Sequence, residues 1–122
     1  MTLGWYTRGM SGIALEITPA EVKAALERGE HIRLIDVREP EEHAICQIEG
    51  AELIPMRTIP QNLQNLDSGD PSTSLLCIFC HHGVRSLTVV DWLRHQDVTN
   101  CRSMAGGIDR WSREINPEVR RY

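Results

Sequence analysis

A chain of 122 residues has the size of one ordinary domain and can bury a single core. Its 41% apolar and 25% charged residues are those of an average globular protein, and no apolar run reaches the roughly 20 residues of a bilayer-spanning helix. A formal net charge of −4 gives no basic excess with which to hold nucleic acid or an anionic membrane.

Residues 1–12 lack the apolar stretch and small-residue cleavage site of a secretory signal. They read as a loose arm ahead of a domain over residues 13–122, with the cytoplasm as the default compartment. Ala14–Ile17 is a short strand candidate. Thr18 then caps a helix, Pro19 suits its first position, Glu21 completes a capping box, and Gly29 marks the stop. Ile32–Asp36 predicts a strand and Glu39–Ile45 a short helix beginning beside Pro40. Glu52–Ile54 is a brief strand ended by Pro55, and Met56–Leu66 is expected to be helical.

After a turn-rich loop over Asp67–Thr73, Leu75–Phe79 is the most apolar run in the chain. It lacks polar alternation, as a strand buried on both faces of a parallel sheet does. Ser86, Val89, Val90 and Leu93 recur at helical spacing, with a last strand at Arg102–Met104 and a short helix around Asp109–Glu114. Trp92 and Trp111 fall in these helices and read as packing residues. Alternating strands and helices give the fold class: α/β, an open, mainly parallel central sheet flanked by helices. Ligands of such sheets sit beyond the carboxyl ends of the strands, which directs attention to the residues just after Phe79.

There stands Cys80-His81-His82-Gly83-Val84-Arg85-Ser86. A tight loop of successive amides, a helix N-terminus behind it and the cation of Arg85 all favour an anionic sulfur, the nucleophilic form of a cysteine. Gly83 allows backbone conformations that a side chain would forbid. Acidic groups outnumber basic ones 12 to 6 in residues 1–70, whereas residues 71–122 hold 7 basic and 5 acidic, a weak preference of the second half for anions.

The loop resembles the Cys-x-x-Gly-x-Arg-Ser active-site loop of rhodanese-like sulfurtransferases. Asp36-Val37-Arg38-Glu39 is similar to the family's Asp-Val-Arg-Glu signature, and Gly50-Ala51 with Ile54-Pro55 to its Gly-Ala-x-x-Ile-Pro segment. Ala105-Gly106-Gly107-Ile108 with Trp111 resembles its Gly-Gly-x-x-x-Trp ending. Cys46-Gln47-Ile48 departs from the usual Gly-His-Ile, and His43 replaces a common aromatic residue; both changes fall in a structural segment. The resemblance implies a sulfurtransferase that takes sulfur from thiosulfate or a persulfide onto Cys80 and passes it to a thiol, cyanide or protein. It needs no cofactor or metal. Cys80 and Arg85 would be catalytic, with Arg85 orienting an anionic donor or bracing the loop. His81, His82, Gly83, Val84 and Ser86 would bind the substrate, the loop amides stabilising a persulfide anion and the Ser86 hydroxyl donating to sulfur. The expected partners are a small anionic sulfur donor and a protein donor or acceptor, with the chain a monomer.

Several competing readings use the same residues. Cysteine-dependent phosphatases carry five residues between cysteine and arginine, and here only four intervene. Cys77-x-x-Cys80 beside two histidines invites zinc or a redox disulfide, but the sequence holds no second ligand pair, and Cys77 reads as a small hydrophobe in a strand. Cys46 and Cys101 have no activating neighbours. Asp36 and Arg38 read as a structural salt bridge, Met104 to Gly106 as the rim of the site, and Arg120-Arg121-Tyr122 as a solvated terminus. A non-catalytic binding module, or a protein-to-protein persulfide relay with little thiosulfate activity, are the alternatives in function.

Overall fold

The most apolar run of the sequence forms the middle of the sheet. In the computed structural model, which describes residues 14–67 and 72–122, five parallel strands stand in the order β1-β5-β4-β2-β3. They are β1 Glu16–Ile17, β2 Ile32–Asp36, β3 Glu52–Leu53, β4 Leu75–Phe79 and β5 Cys101–Met104. All five residues of β4 are buried, as the absence of alternation predicts. The arm expected over residues 1–12 lies outside the described residues, as does part of the loop before β4.

Alternate side chains of β4 feed two cores. Leu75, Cys77 and Phe79 join Val22 and Ala25 of α1 (Pro19–Glu27) and Ile108 and Trp111 of α5 (Gly107–Glu114). Leu76 and Ile78 join Leu66 of α3 (Leu63–Leu66) and Val89, Val90 and Leu93 of α4 (Val84–His95) on the opposite face. The period of two along a strand therefore builds a helix–sheet–helix sandwich. None of the described helices is long and apolar enough to cross a membrane.

The capping box expected at α1 is present: Thr18 Oγ1 accepts from Glu21 N at 3.1 Å, and Glu21 Oε1 accepts from Thr18 N at 2.9 Å. Thr18→Ala should lower stability by about 1 kcal/mol, read as a reduced urea midpoint. An unchanged midpoint would mean that the cap contributes nothing.

The helix expected over Met56–Leu66 is broken. Two 3-10 turns, Met56–Thr58 and Pro60–Asn62, precede α3. Pro60 has no N–H to reach back four residues to Met56, whose carbonyl instead accepts from Ile59 N at 3.2 Å. The carboxyl ends of β2 and β4 lie side by side, with Asp36 opposite Phe79. Helix α2 (Pro40–Ile45) comes directly after β2 and so hangs over the loop that leaves β4.

Candidate functional site

Cys80 leaves β4 with its sulfur buried, the residue only 1% exposed, and with hydrogen-bond donors aimed at it. Gly83 N donates to Sγ at 3.1 Å and Ser86 N at 3.4 Å. Ser86 N belongs to the first turn of α4, so the positive end of a 12-residue helix faces the sulfur. Ser86 Oγ is 3.4 Å from Sγ and 2.7 Å from Ser103 Oγ on β5. If Ser86 donates to sulfur, its own oxygen is free to accept from Ser103, and the buried hydroxyls form one relay. Such a cage offers hydrogen-bond donors to an anionic sulfur.

Two glycines make the loop possible. Gly83 has φ +100, and a Cβ there would come within 3.2 Å of Gly106 N and 3.4 Å of Met104 O. Gly107 lies flush against the loop from outside. Beside it, Ile108 N donates to the Cys80 carbonyl at 2.9 Å and Asp109 N to the His81 carbonyl at 3.1 Å. The start of α5 thus ties the loop down by its carbonyls. Met104 to Gly106, expected at the rim, stand behind Gly83 with Met104 fully buried.

Arg85 does not reach toward Cys80 with a free fork. Its NH1 meets Glu42 Oε1 at 2.7 Å and its NH2 meets Oε2 at 2.9 Å. The Arg85 guanidinium is the main reason the Glu42 carboxyl is held down to about 2, against the opposing effect of burial; Arg85 is raised in turn. The pair ties the first turn of α4 to α2. Glu42 itself, 43 residues away in sequence, escapes sequence reasoning. The only local signal is that Glu39 and Glu42 form a capping box for α2.

Behind this pair, Arg38 and Asp36 are both fully buried and joined by two bonds, Nε to Oδ1 at 2.9 Å and NH2 to Oδ2 at 2.7 Å. They form the structural salt bridge expected of them. Burial opposes the Arg38 charge, but the bonds from Asp36 and Tyr122 more than offset it, and its pKa is raised. Both departures from the family pattern gather here. The Cys46 carbonyl accepts from Arg38 NH2 at 2.7 Å, and His43 Nδ1 lies 3.1 Å from Asp36 Oδ2.

The terminus Arg120-Arg121-Tyr122 is exposed as expected, yet its last residue is also tied into the site. Tyr122 OH donates to Glu42 Oε2 at 2.9 Å and accepts from Arg38 NH1 at 3.2 Å, while its ring stacks on His81 with centroids 3.8 Å apart. Burial, aided by Glu42, raises its phenol to about 12. Arg121 pairs with Asp109 at 2.9 Å. No sequence pattern links residue 122 to residues 38, 42 and 81, since only the return of the chain past α5 brings it there.

The remaining loop residues diverge. His81, against His82 and Tyr122, has its pKa lowered by burial first and by His82 second, and its buried Nε2 has no partner among the described residues. His82 is exposed, and Val84, at 75% exposure, faces outward from the start of α4. Cys77 points into the opposite core from Cys80, which separates the two sulfurs by the sheet itself, and burial pushes its thiol up to about 12. Burial likewise raises Cys101. All four cysteines are free thiols.

An open parallel sheet with a caged cysteine beyond its central strand defines a class, and comparison with known proteins gives the family. The rhodanese-like domain model matches residues 18–114, and the chain belongs to that family. YtwF of Bacillus subtilis, which bears a sulfurtransferase name, is 34% identical over 103 residues, covering 84% of this chain and 95% of that protein. MoeZ of Mycobacterium tuberculosis, with an adenylyltransferase/sulfurtransferase name, is 32% identical over 108 residues, or 87% of this chain but only 26% of MoeZ. The chain thus spans about a quarter of that longer relative. The structure of the human single-domain sulfurtransferase TSTD1 is 30% identical with a TM-score of 0.69, covering 83% of this chain and 97% of that one.

Proposed function

We propose that this chain is a sulfurtransferase that carries sulfane sulfur as a persulfide on Cys80, loaded from thiosulfate or a persulfide and discharged to a thiol, cyanide or a protein. The observation that carries the reading is the cage around Cys80 Sγ, with Gly83 N at 3.1 Å, Ser86 N at 3.4 Å and the Ser86 hydroxyl at 3.4 Å. In the first step, Cys80 thiolate attacks the outer sulfur of the donor. The Sγ–S bond forms as the donor's S–S bond breaks, and the electron pair leaves on a thiolate or on sulfite. In the second step, a nucleophilic acceptor attacks the carried sulfur and the pair returns to Cys80. The first displacement takes Cys80 from thiolate to persulfide at the donor's expense and the second returns it to thiolate, so no outside oxidant is needed, and two displacements through one covalent intermediate predict ping-pong kinetics. The same amides serve both steps, since the attacking thiolate and the persulfide anion each place charge on sulfur beside them. Sulfurtransferase names on relatives such as YtwF and TSTD1 support this chemistry.

The test is intact mass of the reduced protein after exposure to cysteine persulfide and, separately, to thiosulfate. The wild type should gain one sulfur atom that an acceptor thiol then removes, and Cys80→Ser should gain none. A Cys80→Ser variant that loads like the wild type, or a wild type that loads from neither donor, would exclude Cys80 as the carrier.

A further inference from the structure

The cation inside the Cys80 loop and those packed behind it are already engaged. Both arms of the Arg85 fork are taken by Glu42, at 2.7 and 2.9 Å. Glu42 is held in that position by Glu39 N at 3.1 Å and by Tyr122 OH at 2.9 Å. Arg38 is buried on Asp36, while Arg113 and Arg121 both pair with Asp109 and Arg57 pairs with Glu39. Burial holds His81 toward its neutral form. Apart from the exposed His82 imidazole, the donors left on the loop for an incoming anion are neutral amides and hydroxyls.

The two donor classes make different demands on such a site. Thiosulfate is a dianion, so its encounter with a thiolate gathers three negative charges and releases sulfite. The electrophilic form of a persulfide is the protonated RS–SH, which brings no charge of its own to the thiolate. There the Sγ–S bond forms, the RS–S bond breaks, RS⁻ departs with the electron pair, and the proton stays on the transferred sulfur. Without a spare cation, the first encounter is penalised by Coulomb repulsion and the second is not. Resting on the sulfur-carrier reading above, we infer that Glu42 is a specificity-determining residue: by occupying the Arg85 fork it selects a persulfide over thiosulfate as the sulfur donor. Tyr122 secures this arrangement by donating to Glu42 Oε2, the oxygen that also meets Arg85 NH2.

The experiment compares loading rates of wild type, Glu42→Gln and Glu42→Asp with thiosulfate and with cysteine persulfide, at low and at high salt. Glu42→Gln keeps the shape and removes the charge, freeing one unit of positive charge on Arg85. Its thiosulfate rate should rise about tenfold while its persulfide rate stays within about twofold. That gain should shrink with added salt, as an effect of net charge does and one of altered packing does not. Glu42→Asp keeps the charge and should remain slow with thiosulfate. The wild-type thiosulfate rate should rise with added salt as the repulsion is screened, a measurement that stands even if the variants fold poorly. An unchanged thiosulfate rate in a folded Glu42→Gln, or a wild-type thiosulfate rate that falls steeply with salt, would overturn the inference and leave the sulfur-carrier reading standing. Failure of both donors to load the wild type would instead remove the sulfur-carrier reading, and this inference with it.

Discussion

Asp36→Asn should cost about 3–5 kcal/mol of stability, a large share of the roughly 5–15 kcal/mol available to a domain of this kind. Asp36 and Arg38 are both fully buried, and the carboxylate receives Arg38 N at 3.0 Å as well as the two guanidinium bonds. Asparagine fits the same space but turns one of those oxygens into an N–H group that faces an N–H group, and leaves a buried guanidinium without its counter-charge. Removing one partner of a buried pair costs more than removing both, because the orphaned charge keeps its desolvation penalty. Asp36→Asn combined with Arg38→Met should therefore be less destabilised than Asp36→Asn alone. Urea midpoints of the two variants check this, and a single variant as stable as the wild type would show the pair to be energetically idle. The damage should also spread. Arg38 NH1 donates to the Glu42 carbonyl at 3.1 Å and to Tyr122 OH at 3.2 Å, so the platform that presents Glu42 to Arg85 rests on this ion pair.

Legibility in the sequence divides along the line between local and distant contacts. The strand at Leu75–Phe79, the cap at Thr18 and the loop from Cys80 to Ser86 are each specified by residues within a few positions of one another. They stand where expected. Met56–Leu66 failed for a local reason, the missing amide of Pro60, a signal already present in the sequence. Glu42 and Tyr122 are a different case. Glu42 belongs to an acidic run, Glu39, Glu41 and Glu42, and nothing in that run says which carboxylate meets Arg85. The choice is made by the parallel register of β2 with β4, which sets α2 over the Cys80 loop. Tyr122 reaches the site only because Ser112 Oγ anchors the Val119 carbonyl and Arg121 pairs with Asp109, turning the chain's end back across α5. The caged cysteine is legible from its motif, whereas the charge of its surroundings is decided by residues from elsewhere in the chain.

Gly107→Ala should disable the site and destabilise the domain together. Gly107 has φ +62, and a Cβ at that position would press against the His81 carbonyl oxygen and lie 2.5 Å from that of Cys80. Both neighbours are backbone, so no side chain can rotate away, and the left-handed conformation adds its own cost of about 1–2 kcal/mol for alanine. The loop has little freedom to retreat, because its two carbonyls are bound by Ile108 N and Asp109 N at 2.9 and 3.1 Å. We expect a loss of about 3 kcal/mol in total, measured by urea unfolding. Relief that shifts the Cys80–His81 peptide moves Sγ relative to Gly83 N and Ser86 N. A displacement near 1 Å can cost about a hundredfold in rate, so persulfide loading of the folded fraction should fall by that order. Gly29→Ala is the control: its φ is +83, but a Cβ there meets nothing within 4 Å, so it bears the conformational cost alone and should load normally. If Gly107→Ala matched Gly29→Ala in both stability and loading, the close approach of α5 to the cysteine loop would be irrelevant to either. If it lost loading while keeping its stability, the loop rather than α5 would be the side that yields, and the cage around Cys80 would be the softer of the two packed surfaces.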